Sequence, residues 1–295
     1  MQIVDALGED GLLRFWGFSY GTALGVTVAA MFPDRMDKIV LDGMLNTYEY
    51  YAGRDVEEVT DGDAVFEGFV QGCIENPEHC ALAQDAPTAE ELSSKIYNLI
   101  YHLKYHPFIG GNDTASVIDY VALKLAIQQG LYSTQTWPVL ARGIHGLLTG
   151  NVTAALAVTA LGAGGSATHI YPSEGPESIF GIRCSETSLK TNNLSSLYPL
   201  LNEWFEKSGL LGDIFAVSTL QCSQWRFRAK EIYSGGWNIA TRNPVLFVNP
   251  THDPFTPLIS AKNASAGFEG SVVLEHNGWG VSYNPQQSFP RFMSV

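Results

Sequence analysis

Apolar residues follow two different rhythms along this chain. Near both ends they form short runs: Leu12–Trp16, broken only by Arg14, then Ile39–Leu41, Val245–Val248 and Val272–Leu274. Runs of this length, bounded by turn formers, read as strands, with Ile39–Leu41 a buried one. Between them, from about Tyr48 to Tyr233, the spacing becomes helical. Thr88-Ala89-Glu90-Glu91 is a capping box, and Leu92, Ile96, Leu99, Ile100 and Leu103 follow on one face. Ser116 to Gln129 repeats the period and stops at Gly130, and Ser195 to Lys207 repeats it again before Gly209. Asn151 to His169 reads as a helix running into a loop, and Met1 to Asp10 as the tail of an amphipathic helix. The expected class is α/β: a parallel sheet interrupted by a mostly helical cap. The expected boundaries are a core over 1–47, a cap over 48–240 and a returning core over 241–295.

One turn in this pattern carries chemistry. Gly17-Phe18-Ser19-Tyr20-Gly21 has the form G-x-S-x-G, with a strand before it and the helix-like stretch Thr22–Ala30 after it. A turn this tight lifts a serine hydroxyl off the end of the strand, and flanking glycines remove side chains that would clash. Ser19 is therefore the candidate nucleophile. The N–H of Tyr20, next in the chain, is the candidate oxyanion donor. Few residues precede Gly17, and they leave no room for the early strands whose loop supplies a second donor. The expectation is a fragment, or a protein working with half of the usual oxyanion hole.

Composition narrows the partners. Apolar residues make up 45% of the 295 residues and charged residues 16%, enough for a packed core. A net charge of −13, with no Lys/Arg cluster, argues against nucleic acid. No apolar run reaches the roughly 18 residues of a membrane span, and no basic-then-apolar leader begins the chain. The four cysteines form a close pair, Cys73 and Cys80, and a distant pair, Cys184 and Cys222. Their spacing favours two disulfides over four free thiols and does not suit zinc. The sequons at Asn112, Asn151, Asn193 and Asn263 agree with an oxidising compartment and a secretory ancestor. No metal or cofactor is expected.

Several further motifs make the likeness specific: Ser19-Tyr20-Gly21-Thr22, Phe32-Pro33-Asp34-Arg35, Val40-Leu41-Asp42-Gly43, Cys222-Ser223-Gln224-Trp225 and Asp253-Pro254-Phe255-Thr256-Pro257. Together they resemble the tripeptidyl-aminopeptidase/proline-iminopeptidase branch of the α/β-hydrolases, in its secreted fungal form. The resemblance implies a serine peptidase that releases N-terminal residues or short peptides, with an N-terminal part of the family lacking here. The alternatives are an ester or amide hydrolase of a biosynthetic pathway, or a truncated and catalytically impaired relative. The implied partner is a peptide or small acyl substrate, with neither nucleic acid nor membrane.

Asp253, after the strand Val245–Val248 and among Pro250, Pro254 and Pro257, is the candidate triad acid, with Asp42 second. The base is harder to find. His79, His102, His106, His145 and His169 fall in the cap, and His252 adjoins the acid and should point away from it. Only His276 follows the acid, and it becomes the candidate base. The family's histidine slot, beyond the last strand, holds Val281. Glu174, Glu177 and Glu186 are candidates to hold a substrate ammonium, with solvated surface charge as the alternative.

Overall fold

The computed structural model describes residues 1–110, 117–162 and 176–281. The first part of the core contains α1 (Gln2–Ala6), β1 (Leu13–Phe18), α2 (Tyr20–Met31), β2 (Met36–Asp42) and α3 (Thr47–Ala52). The cap follows with α4 (Gly62–Glu75), α5 (Ala89–Leu103), a short antiparallel pair β3 (Phe108–Ile109) and β4 (Val117–Ile118), and α6 (Tyr120–Leu131). It continues through α7 (Trp137–Thr149), α8 (Val152–Ala155), α9 (Ala157–Gly162), α10 (Pro176–Glu186), α11 (Tyr198–Lys207) and α12 (Gly212–Ser223). The chain then returns to the sheet with β5 (Leu246–His252), α13 (Leu258–Ser265) and β6 (Val272–Trp279).

β1, β2, β5 and β6 pair in that order, and every pair is parallel. All four strands therefore end on the same edge, where loops collect. A parallel sheet needs both faces covered, and α2 covers one closely. A Cβ on Gly25 would lie 2.5 Å from Leu41 and 2.9 Å from Phe15, so only glycine allows this approach. Val26, Ala29, Met36, Leu41, Phe247, Ala261 and Phe268 form the sheet's core. A separate cluster fills the cap, from Val56 to Ala216, around Phe66, Phe69, Trp137 and Trp204. The architecture is an α/β-hydrolase sheet with a helical cap inserted between its second and third strands.

Four local expectations need correction. The helix before β1 is only Gln2–Ala6, shorter than the expected Met1–Asp10, and none of its residues is fully buried, though Met1 before it packs against the sheet core. α6 does not begin at Ser116: Val117–Ile118 pair with Phe108–Ile109, and the Asp119 side chain caps the helix by accepting from Ala122 N–H. That helix also runs through Gly130, which packs beneath Leu140, before ending at Leu131. Finally, β5 and β6 outlast their apolar runs, continuing in register through Asn249–Glu275 and Pro250–His276 to His252–Trp279. The Thr88 cap is as expected, its side chain accepting from Glu91 N–H.

Both disulfides form within the cap, Cys73–Cys80 with Cα atoms 5.2 Å apart and Cys184–Cys222 with Cα atoms 4.4 Å apart. Lys190 reinforces the second, donating to the carbonyls of Cys184 (2.7 Å) and Cys222 (2.9 Å). Among the sequons, Asn112 lies outside the described residues. The Asn151 and Asn193 side chains accept from Ala154 and Ser195 N–H, and Asn263 donates to Glu57. No helix among the described residues is long and apolar enough to cross a membrane.

The outer edge of β1 pairs with no strand among the described residues, and it carries Trp16 (58% exposed) stacked on Phe18 (48% exposed). Exposed apolar edges promote self-association. Replacing Trp16 by Thr and Phe18 by Lys is expected to reduce the oligomeric fraction on size-exclusion chromatography. An unchanged elution profile would show that this edge is already protected.

Candidate active site

Ser19 follows β1 directly and caps α2 with φ 49° and ψ −120°. A positive φ at a non-glycine residue costs on the order of 1–3 kcal/mol and persists only where its surroundings enforce it. Three contacts do so here. The Ser19 N–H donates to the carbonyl of Asp42 on β2 (3.3 Å), while its own carbonyl accepts from the N–H (2.8 Å) and the hydroxyl (2.5 Å) of Thr22. The Thr22 hydroxyl in turn accepts from Leu45 N–H at 3.1 Å, tying the elbow to the loop after β2. Gly17 is sterically obligatory, since a Cβ there would lie 2.4 Å from the Gly21 carbonyl oxygen. Gly21 is not, because a Cβ at that position meets nothing within 4 Å. Tyr20 opens α2, so its N–H belongs to the first turn, which has no intrahelical acceptor and carries the positive end of the helix dipole.

Ser19 opens into a cavity of about 310 Å³ lined by Tyr20, Leu45, Tyr50, Glu58, Ser178, Ile179, Ile182 and Arg183. α10 forms its wall on the cap side and is anchored from three directions. Arg183 pairs with Asp55 (2.7 Å) and Glu58 (3.0 Å), Cys184 is bonded to α12, and Glu186 accepts from the hydroxyls of Tyr20 (3.1 Å) and Tyr50 (2.7 Å). Burial pushes the Glu58 carboxyl up, with the Arg183 charge pulling the other way. Burial, with Glu186 beside them, pushes both phenols up, so Tyr20 and Tyr50 remain protonated donors. The cap is thus fastened to the very residue whose N–H adjoins the nucleophile.

The remaining candidates are distributed unevenly. Asp253 is fully buried just past β5, two strands from Ser19, a lateral spacing of about 10 Å. Its Oδ1 accepts from Phe255 and Thr256 N–H (2.9 and 2.8 Å) and its Oδ2 from the Thr256 hydroxyl (2.7 Å). Asn249 holds the same loop, accepting from Met44 N–H and donating to the Thr256 carbonyl. His276 lies in the body of β6, opposite Pro250 and three positions before Trp279, rather than in the loop beyond. That places it about 10 Å back from the strand end, and it does not line the Ser19 cavity. His252 ends β5 with its ring stacked on Trp279 at 4.0 Å, and burial lowers its pKa. Val281 is buried, its N–H donating to Tyr132 carbonyl. Asp42 is buried at the end of β2, beside the elbow. Glu186 belongs to the site, though its carboxylate is engaged by two tyrosines. Glu177 lines a different hollow, with Phe180 and Trp225. Glu174 and His169 lie outside the described residues. The residues sequence reasoning missed are Glu58, Arg183 and Tyr50. Glu58 follows Glu57 in an ordinary acidic pair, and no local pattern announces an arginine partner so far along the chain.

Comparison with known proteins bears on the fold and the enzyme class. Residues 208–288 match the family model described as TAP-like protein, a span reaching from α12 through β6 and including Asp253. The chain is 24% identical over 153 residues to the serine protease Hip1 of Mycobacterium bovis and to that of Mycobacterium tuberculosis. Each alignment covers 48% of this chain and 28% of the relative, so the chain matches less than a third of those proteins' length.

Two measurements probe the construction of the site and its cap. Glu186→Ala leaves two phenols without their acceptor, one of them on Tyr50, only 2% exposed. The expected loss is about 1–3 kcal/mol, with faster amide hydrogen exchange in α10; unchanged stability and exchange would contradict the anchoring. Asp61, which precedes α4 in the cap rather than lining the Ser19 cavity, is raised to about 6 by burial and provides a pH test of the cap. Because its folded pKa exceeds the unfolded value of 3.8, its contribution is present below that value and lost as pH rises through 6. Asp61→Asn is therefore expected to raise the melting temperature at pH 8 and hardly at all at pH 4.5. An equal effect at both pH values would contradict the assignment.

Proposed function

We propose that this α/β-hydrolase is a serine hydrolase of the peptidase kind, using Ser19 to open an amide or ester bond beside a free amino group. The observation that carries the reading is a strained, enforced serine opening into a cavity whose wall contains a mostly buried carboxylate, Glu58. Asp55, which is buried, and Glu58 and Arg183, each mostly buried, form a cluster with one more acidic than basic group. A substrate ammonium at Glu58 would restore neutrality where the dielectric is low and charge is expensive. Ile179, Ile182 and Leu45 supply an apolar surface for the attached side chain. In this reading Ser19 Oγ adds to the acyl carbon, the Tyr20 N–H receives the developing oxyanion, and the hydroxyl proton passes to the departing amine or alcohol as an acyl-enzyme forms. Water then releases the acid. Asp253 is the acid of the proposed machinery, positioned on the same sheet edge as Ser19. The cap disulfides and sequons favour a secreted protein.

A second reading has its own support. Among the described residues no histidine lines the Ser19 cavity, so no imidazole of that described wall takes the hydroxyl proton. Loss of a triad base elsewhere costs on the order of 10⁶ in turnover, and slow hydrolysis by an impaired relative is the consequence.

The test compares aminoacyl coumarin amides with their N-acetylated counterparts. Free amines are expected to react about tenfold faster or more, with the preference lost in Glu58→Gln and all hydrolysis lost in Ser19→Ala. His276→Ala is expected to stay within about twofold of the parent, as a mid-strand residue should. Equal rates on acetylated substrates, or an unaffected Glu58→Gln, would refute amine recognition. A large loss in His276→Ala would make that residue the base after all.

A further inference from the structure

Beyond the Ser19 cavity, α3 also helps to wall a second hollow of about 430 Å³. The two faces of that short helix diverge at neighbouring residues: Tyr50 lines the first cavity and Tyr51 the second. The second hollow is dominated by aromatic rings gathered around Trp237. Tyr51 stacks on it at 5.8 Å, while Tyr48 and Tyr233 meet it edge-on at 5.4 and 5.0 Å. Two of the tyrosines are pinned through their hydroxyls, Tyr51 to the Thr27 hydroxyl (2.8 Å) and Tyr233 to the Gly236 carbonyl (2.9 Å). Their orientation is fixed by these bonds. The turn that folds Tyr233 back requires Gly235 and Gly236, at φ 127° and 90°.

The polar part of the lining is cationic. Arg228 stands at the rim, exposed, and no carboxylate among the described residues lies within ion-pair distance of it. Its charge helps to lower the pKa of Lys190, after burial, so the two cations share one neighbourhood. This is notable in a chain with 30 acidic and 17 basic residues. Ser188 and Ser234 add hydroxyls beside the rings. Aromatic walls alone would suit a cation, but Arg228 repels one. A guanidinium instead offers a planar fork to a carboxylate, and the rings offer an apolar surface to a planar body.

We infer that this hollow is a binding site for a small aromatic carboxylate, its ring against Trp237 and Tyr51 and its carboxylate on Arg228. The site is separate from the hydrolytic cavity and does not depend on the function proposed for Ser19.

The experiment is isothermal titration of the full chain with 3-phenylpropionate and with 3-phenylpropionamide, which differ only in the charged group. The acid is expected to bind about tenfold more tightly than the amide. Arg228→Gln, an exposed change that should leave the fold intact, is expected to bring the acid down to the level of the amide. Arg228→Lys should retain part of the difference, and Ser19→Ala all of it. Trp237→Ala, checked for an unchanged melting profile, should weaken both ligands together. Equal affinities for acid and amide, no saturable binding of either, or an acid preference that survives Arg228→Gln would each overturn the assignment. So would loss of binding in Ser19→Ala, because the ligand would then occupy the hydrolytic cavity.

Discussion

The backbone of Ser19, held at φ 49°, is the constraint around which the rest of the site is arranged. A serine in relaxed extended backbone would continue β1 and turn its hydroxyl with the pleat. Here the chain reverses within one residue, leaving Ser19 at the mouth of a cavity and Tyr20 with its N–H in the first turn of a helix. The conformation is enforced by neighbours with no direct chemical role: Gly17, which alone fits against the Gly21 carbonyl, Thr22, and the Asp42 carbonyl on the adjacent strand. Strain stored this way is tolerable because the parallel sheet and the close-packed α2, seated through Gly25, are rigid.

The cap does more than cover this point. Tyr20 keeps its N–H in the first turn of α2 beside Ser19 and gives its hydroxyl to Glu186, so one residue joins that turn to α10. Arg183, one position before Cys184, carries the ion pairs that orient Glu58, and the disulfide to α12 holds the same turn of helix from behind. Charge and covalent geometry therefore act on adjacent residues. The cavity's carboxylate, its apolar wall and the reach to Tyr20 all depend on where one short helix sits.

What the sequence revealed was local in origin. The G-x-S-x-G turn was legible because strand, serine and helix are contiguous, and the strands near each end because their apolar runs are short and bounded by turn formers. The cysteine pairing followed from spacing, and Thr88 from its capping pattern. What stayed hidden depends on distant partners. Glu57 and Glu58 are adjacent and look alike, yet Glu57 accepts from Asn46, Ser260 and Asn263, whereas Glu58 faces Arg183. His276 read as a strand-end residue because the apolar run stops at Leu274, but backbone pairing with β5 carries the strand to Trp279. Likewise the start of α6 was set by Asp119 and by pairing with Phe108–Ile109, not by the helical period, which had begun earlier.

The central claim is that an enforced turn makes Ser19 the reactive serine of this chain. The most direct measurement is to treat the protein and its Gly17→Ala variant with a fluorophosphonate and to locate the adduct by peptide mass spectrometry. The account predicts a single modified serine, Ser19, and little modification in the variant, whose added methyl cannot coexist with the Gly21 carbonyl at 2.4 Å. An adduct on another serine, or equal labelling of Ser19 in a folded Gly17→Ala variant, would contradict it.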